Sequence, residues 1–380
     1  MTEPKQTNWT KEWGDNLALA GCDACDTIYL ISYDKAPLPC PLCGQGELLL
    51  LDEDADRPVY TQPPELVVPF SVPQDKRERI LKQFASSIWI KPDDLKLDRL
   101  NGRIQPIYLP MWLVDADIQA QWQAETGCNY EIVSHREQYQ GNQWHTQRIK
   151  ETKIRWEPRV GQLQRHYDNK TAPALEEHDA FARKLGRYRL EEAELYRPEM
   201  TQEVLVRLPN RPPDDAWTDA QVSLRAAARQ ECRQAAAADH IREFRWTAEF
   251  ANQNWTQLLL PLYTTWYRDD DDQPQMIYLH GQTGKLYGSR RASMKKARKY
   301  ALIMLALAAL SGMGAFFFFL LGLFVAEGIL ALATLGFLAA IFFGILAVVP
   351  VGMAWYTNHN AELNAIQQMA RDTAVLNNNN

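Results

Sequence analysis

Charge is what the end of this chain lacks. The 380 residues carry 41 basic and 47 acidic side chains, yet only Glu327, Glu362, Arg371 and Asp372 lie at or beyond Tyr300. That depletion excludes a purely soluble protein. A surplus of positive charge is also missing. The net charge of −6 argues against a general nucleic-acid coat protein, which would be basic overall. Signatures of catalysis are absent as well. Gly281-Gln-Thr-Gly284-Lys285 has the wrong spacing for a phosphate loop, and Leu286 stands where its hydroxyl should be. There is no Gly-x-Ser-x-Gly elbow and no His-Glu-x2-His pair, and the seven histidines do not pair at ligand spacing. A non-enzyme is expected.

What fills the uncharged end is hydrocarbon. From Tyr300 to Ala326 there are 27 residues without a formal charge, and after Glu327 the next charge is Glu362. A helix needs about 20 apolar residues to cross a bilayer. Two spans are predicted, at residues 301–324 and 329–351, joined by a tight turn around Ala326, Glu327 and Gly328. The run FFFFLLGLF has no polar face, which disfavours a buried soluble helix. Glu327 is expected at the far interface. Gly336, Ala340 and Gly344 recur at four-residue spacing and are candidates for close helix packing, within the hairpin rather than between copies.

Arg290, Arg291, Lys295, Lys296, Arg298 and Lys299 precede the first span with no acidic residue among them. Positive flanks stay on the cytoplasmic side, so both termini are expected in the cytoplasm. The same residues are candidates for holding anionic lipid head groups. The opening MTEPKQTNWTKEWGDN lacks the apolar run of a secretory signal, so the first span is expected to act as the insertion signal.

Four of the six cysteines form Cys22-x2-Cys25 and Cys40-x2-Cys43, with 14 residues between the pairs. That is the pattern of a four-thiolate zinc site. Iron on the same thiolates, or two disulfides, are the alternatives, and a reducing cytoplasm disfavours the latter. Such a site is closed to water and substrate, so its expected role is structural. The second turn has Pro41 and Gly44 to shape it; the first, CDACD, has neither. Between Ala20 and Leu50 the charges sum to −3, a poor fit to phosphate, so protein contact is the better expectation. Cys128 and Cys232 read as small buried residues.

The middle reads as mixed. Residues 52–65 form a polar, Pro-containing linker. VVPF (67–70) is extended, and Ile80, Leu81, Phe84, Ala85 and Ile88 mark a helical face after Pro73. Period-two alternation over residues 115–125 is a half-buried strand, followed by β-rich stretches at 130–139 and 143–156. Arg148, Lys150, Lys153 and Arg155 there are read as a solvated sheet face rather than a nucleic-acid face. Thr218-x2-Gln221 suggests a helix start, with that helix running to about His240. LLLPLYTTWY (258–267) and QMIYLHGQTGKLYG (275–288) read as strands, and the Asp269–Asp272 run as a solvated loop. YLPMW and LLPLY, whose prolines are Pro110 and Pro261, hint at a duplicated unit.

The expected fold class is α+β: an N-terminal zinc ribbon, a mixed α/β cytoplasmic body with antiparallel sheets, and a C-terminal two-helix transmembrane hairpin. The expected segments are an N-terminal tail (1–19), the ribbon (20–51), the linker (52–65), and the body (66–288, as two repeats at about 66–165 and 200–288). A basic juxtamembrane stretch (289–299), the hairpin (300–353) and a C-terminal cytoplasmic helix with an Asn-rich tail (354–380) follow.

The Cys pairs, VVPF before a helix, YLPMW, LLPLYTTWY and HGQTGKLYG ahead of a basic run and apolar hairpin together resemble a bacterial group of membrane-anchored zinc-ribbon proteins. The resemblance covers nearly the whole chain. It departs at the first Cys turn and at His280, where the group often has Asn. Members are encoded near phage-shock-protein-A-like and SPFH-domain proteins and recruit such partners. The resemblance therefore implies a zinc-bearing, non-catalytic scaffold at the bacterial inner membrane, in envelope stress or membrane maintenance. Some members are labelled primosomal helicases. The alternative expectation is accordingly a membrane-tethered nucleic-acid-binding ribbon, although nucleic acid fits the charge poorly.

Overall fold

Strands far longer than the usual three to ten residues dominate the chain. The computed structural model describes residues 10–14, 16–51, 60, 62–324 and 330–378. In chain order the elements are α1 (Thr10–Trp13), β1 (Leu17–Cys22), β2 (Ile28–Ser32), β3 (Leu38–Pro39), β4 (Glu47–Leu50), β5 (Leu66–Val67), α2 (Gln74–Ser86) and α3 (Leu97–Gly102). Then come β6 (Gln105–Gln140), β7 (Gln143–Pro173), α4 (His178–Leu185), β8 (Glu194–Leu195), β9 (Leu205–Arg207) and α5 (Pro213–Ala235). The chain finishes with β10 (His240–Arg268), β11 (Pro274–His280), β12 (Leu286–Gly288), α6 (Met294–Phe324) and α7 (Leu330–Asn378). The strands form one sheet in the order β12-β11-β10-β6-β9-β2-β1-β4-β3, with β7 on β6 and β5 on β10 and β8.

Two compact units divide the chain by space rather than by sequence order. One holds residues 1–109, 177–208 and 259–380, the other 110–176 and 209–258. In the first unit β2 pairs antiparallel with β9, Tyr29 opposite Arg207, so the cysteine-bearing strands continue the sheet of the body. The pairing of β6 with β9 is parallel, Ile107 opposite Leu205, where antiparallel sheets were expected. The long excursion between those two strands makes the parallel return possible.

In the second unit β6 and β7 form a hairpin turned by Gly141 and Asn142, both at positive φ. Ala116, Ile118, Ala120, Trp122 and Ala124 are buried against Leu224, Ala228 and Cys232 of α5. The alternation of residues 115–125 thus points its apolar half at a helix. Cys232 is buried there, whereas Cys128 is only half-buried. Helix α5 opens at Pro213, five residues before the expected Thr218. Pro213 presets the first-turn φ, and Asp214 and Asp215 favour the positive end of the helix dipole, so they outweigh the capping-box pattern. LLPLY sits well inside β10 rather than at the start of a strand after a helix.

Helix α2 buries Leu81, Phe84 and Ala85 as its periodicity requires. They join Ile88, Ile90, Leu95, Tyr267, Ile277, Ala297 of α6 and Ala354 of α7 in one core cluster. Met294–Leu323 and Leu330–Leu363 are long and apolar enough to cross a membrane, and only 6% and 11% of their most apolar windows are buried. Those apolar faces point outward (Leu310 62% exposed, Val348 70%) instead of into a core. Helix α6 begins six residues before Tyr300 and so includes most of the basic stretch. Helix α7 runs on past residue 353 with Pro350 inside it, leaving no break between a second span and a C-terminal helix. The turn with Glu327 lies outside the described residues, as does most of the 52–65 linker.

Candidate metal centre

Two turns of matching construction carry the four thiols. In each, the residue four beyond the first Cys donates its amide back to that Cys: Asp26 N to Cys22 O at 3.2 Å, Gly44 N to Cys40 O at 2.9 Å. Cys22 N donates to Thr27 O and Cys40 N to Gly46 O, closing both loops at 3.0 and 2.8 Å. The reversal needs a left-handed residue, and φ is 54° at Asp26 and 65° at Gly44. The first turn therefore has the geometry of the second without its glycine. Asp23 Oδ1 accepts the Glu47 amide at 2.9 Å and ties the turns together. A Cβ on Gly46 would lie 2.7 Å from Cys22 Sγ, so only glycine fits there.

The sulfurs converge. Cys22 Sγ is 3.7 Å from Cys43 Sγ, and Cys25 Sγ is 3.7 Å from Cys40 Sγ. All four lie within 4.8 Å of one another. Zinc–sulfur bonds of about 2.3 Å in a tetrahedron demand sulfur separations of about 3.8 Å, so the donor set fits a zinc-sized ion bound by four thiolates. Burial pushes the Cys22 and Cys40 thiols up. Burial would raise Cys43 too, but the Gly46 and Gln45 amides and the neighbouring thiols outweigh it and hold Cys43 down. Four thiolates around a divalent ion leave a net double negative charge and no open position.

The surroundings fasten the second turn to β11. Tyr278 Oη donates to Leu42 O inside the second turn at 3.0 Å. Gly44 rests on β11, where a Cβ would come 2.9 Å from Met276 Sδ. Arg207 is 2% exposed; its Nη2 donates to both Glu177 oxygens at 2.9 and 3.0 Å. Its Nε and Nη1 are buried without a hydrogen-bond partner among the described residues. Burial raises the Tyr29 and Tyr278 hydroxyls; Arg207 pulls both down, and the cysteines push both up. Both rings are thus within electrostatic reach of the guanidinium and of the thiols. Sequence reasoning missed Arg207, although a lone charge in the apolar run Val204-Leu-Val-Arg-Leu208 is a signal of a buried ion.

The six basic residues are not one set. Arg291 pairs with Glu362 at 2.8 Å, and Lys296 with Asp93 at 2.7 Å. Lys295 donates its amide to Asp270 Oδ2 at 2.7 Å and its Nζ to the Asp270 carbonyl. Arg290 stands over the Phe84 ring. Arg298 and Lys299 are exposed. Within the Asp269–Asp272 loop, Asp271 and Asp272 are exposed as expected, while Asp270 braces the first turn of α6. Gly336 faces Ala315, with an added Cβ only 2.8 Å from that side chain, and Ala340 lies beside Gly312. A Cβ on Gly344 would meet nothing within 4 Å.

The segment resembling a phosphate loop uses its amides internally. Gln282 N and Thr283 N both donate to His280 Nδ1, at 3.1 and 3.3 Å. The His280 ring stacks on Tyr188 at 3.9 Å. An Asn side chain at this position would accept the same amide two residues on. On the exposed ribbon of β6 and β7, Lys150 pairs with Glu131 and Arg155 with Glu157, which breaks up the basic run there. No protein-family model matches the chain, and neither a curated protein nor a solved structure matches it.

Proposed function

We propose that this chain is a non-catalytic adaptor: a zinc ribbon and α/β body fixed to the cytoplasmic face of a bacterial inner membrane, where it recruits protein partners. The observation that carries the reading is the continuity of one unit. The four-thiolate cluster is built into the sheet through the Tyr29–Arg207 pairing and the Tyr278–Leu42 hydrogen bond. Through Ile277, that sheet shares a core with Ala297 and Ala354 at the base of the apolar helices. A closed metal site has no chemistry to offer a substrate, and it pins the two cysteine turns onto strands that already share a core with the body through Leu17 and Leu30.

The orientation follows from the basic stretch ahead of the first span. The partner class, SPFH-domain or phage-shock-protein-A-like proteins, follows from the family resemblance. Affinity purification of the full chain from membranes in mild detergent is expected to recover such a partner in stoichiometric amount. Cys40→Ser should lose the partner while staying in the membrane fraction. Repeated recovery of the protein alone would contradict the reading.

A further inference from the structure

Trp89 is an exposed tryptophan where the body meets the helices. It is 63% exposed, whereas its neighbours Ile88 and Ile90 are buried in the core cluster. The segment carrying it is fastened to the first turn of α6. Ser293 N donates to Ile90 O at 2.7 Å, and Lys296 Nζ donates to Lys91 O at 3.0 Å. Trp89 therefore sits at a defined level along the helix, seven residues before Tyr300. At 1.5 Å per residue that is about 10 Å from the first uncharged stretch. The head-group layer beside a 30 Å hydrocarbon core is about 5–8 Å deep on each side, so Trp89 lies within side-chain reach of it.

Helix α7 marks the same level independently. Asn358 exchanges hydrogen bonds with the Ala292 backbone at 2.7 and 3.1 Å. Trp355 and Tyr356, one turn or less nearer the apolar stretch, are 58% and 63% exposed, and Tyr300 is 48% exposed. Tryptophan and tyrosine concentrate where hydrocarbon meets water. Val351, the last residue of the second apolar span, packs against the cluster that contains Ile88, Ile90 and Leu95. The body thus rises beside the helices and does not hang from them on a tether. Arg298 and Lys299 are exposed on the same turn of α6, while in the loop after Trp89 exposed Lys91 is accompanied by Asp93, which pairs with Lys296; the excess of basic side chains on α6 suits anionic head groups.

We propose that the loop bearing Trp89 is a second membrane contact, with the indole seated among the lipid head groups of the bilayer that α6 and α7 cross. The proposal rests on the membrane-anchored reading and adds a surface to it. The test reconstitutes the full chain in vesicles of phosphatidylcholine and phosphatidylglycerol, plain or brominated near the head-group end of the acyl chain. Bromine quenches only tryptophans at that depth. Trp89→Phe and Trp355→Phe are each expected to remove a comparable share of the quenchable emission. If Trp355→Phe lowers quenching and Trp89→Phe leaves it at the wild-type value, the anchor stands and the Trp89 contact is overturned. If brominated lipid quenches no emission in the wild-type chain, the anchor itself fails, and the contact with it.

Discussion

Asp26 and Gly44 hold equivalent places in the two cysteine turns, each donating its amide four residues back at positive φ. An aspartate pays a conformational cost in the left-handed region that glycine does not. Asp26→Gly is expected to raise stability by up to about 1 kcal/mol, read as a shift in the unfolding midpoint of the detergent-solubilised chain. Gly44→Ala should lower the midpoint, because it adds that strain and sets a Cβ 2.9 Å from Met276 Sδ. Equal midpoints for Asp26→Gly and wild type would show that the turn carries no strain.

Arg207 is a buried cation held by one partly exposed carboxylate, and it stands on β9 opposite Tyr29 of β2, the strand that leads out of the first cysteine turn. Supporting residues outside the ligand set typically contribute 10–100-fold to metal affinity. Arg207→Met should weaken zinc binding by about tenfold in competition with a chromogenic chelator. Unchanged affinity would assign Arg207 to the Glu177 contact alone.

Asp94 accepts from Arg99, Arg103 and the Arg268 amide. Burial would raise its carboxyl, but Arg103, that amide and Arg99 outweigh it and hold the group well below the usual carboxylate range. Its stabilising contribution is full above the unfolded-state value of about 3.9 and is lost as pH falls through the folded-state value. Asp94→Asn is expected to cost about 3 kcal/mol at neutral pH, and less as the medium is acidified below about pH 4. Unfolding midpoints of both proteins across that range check this, and parallel curves would refute it.

Between the apolar helices, Gly336 and Gly344 make opposite forecasts. Gly336→Val collides with Ala315 and should destabilise the helix pair by about 1–3 kcal/mol. Gly344→Val meets open space and should be neutral within about 0.5 kcal/mol. Thermal unfolding in a single detergent distinguishes them.

Features written in local spacing were legible in the sequence. The two Cys-x2-Cys turns meet because each is a short reversal that needs only neighbouring residues. The uncharged stretches read as helices because nothing else satisfies their backbone in lipid. The helical face of Leu81, Phe84 and Ala85 and the alternation at residues 115–125 were legible for the same reason. What was hidden depends on distant partners. The parallel pairing of Ile107 with Leu205 is set by an excursion of nearly a hundred residues. The first half of β10 was legible but missed: Phe244, Trp246, Ala248 and Phe250 alternate with polar residues and pack half-buried against the cluster under α5. The basic stretch looked uniform because Asp93, Asp270 and Glu362, which claim half of it, are remote in sequence. Arg207 was visible as an oddity, but its partners, Tyr29 across the strand pair and the Glu177 carboxylate, are remote in sequence.

The most direct measurement is the metal content of the full chain purified in detergent, by elemental mass spectrometry, beside Cys40→Ser. One zinc per chain is expected in the wild type and essentially none in the variant, together with a lower unfolding midpoint. A wild-type chain free of metal yet equally stable, or a variant that keeps its zinc, would contradict a body held together by four thiolates.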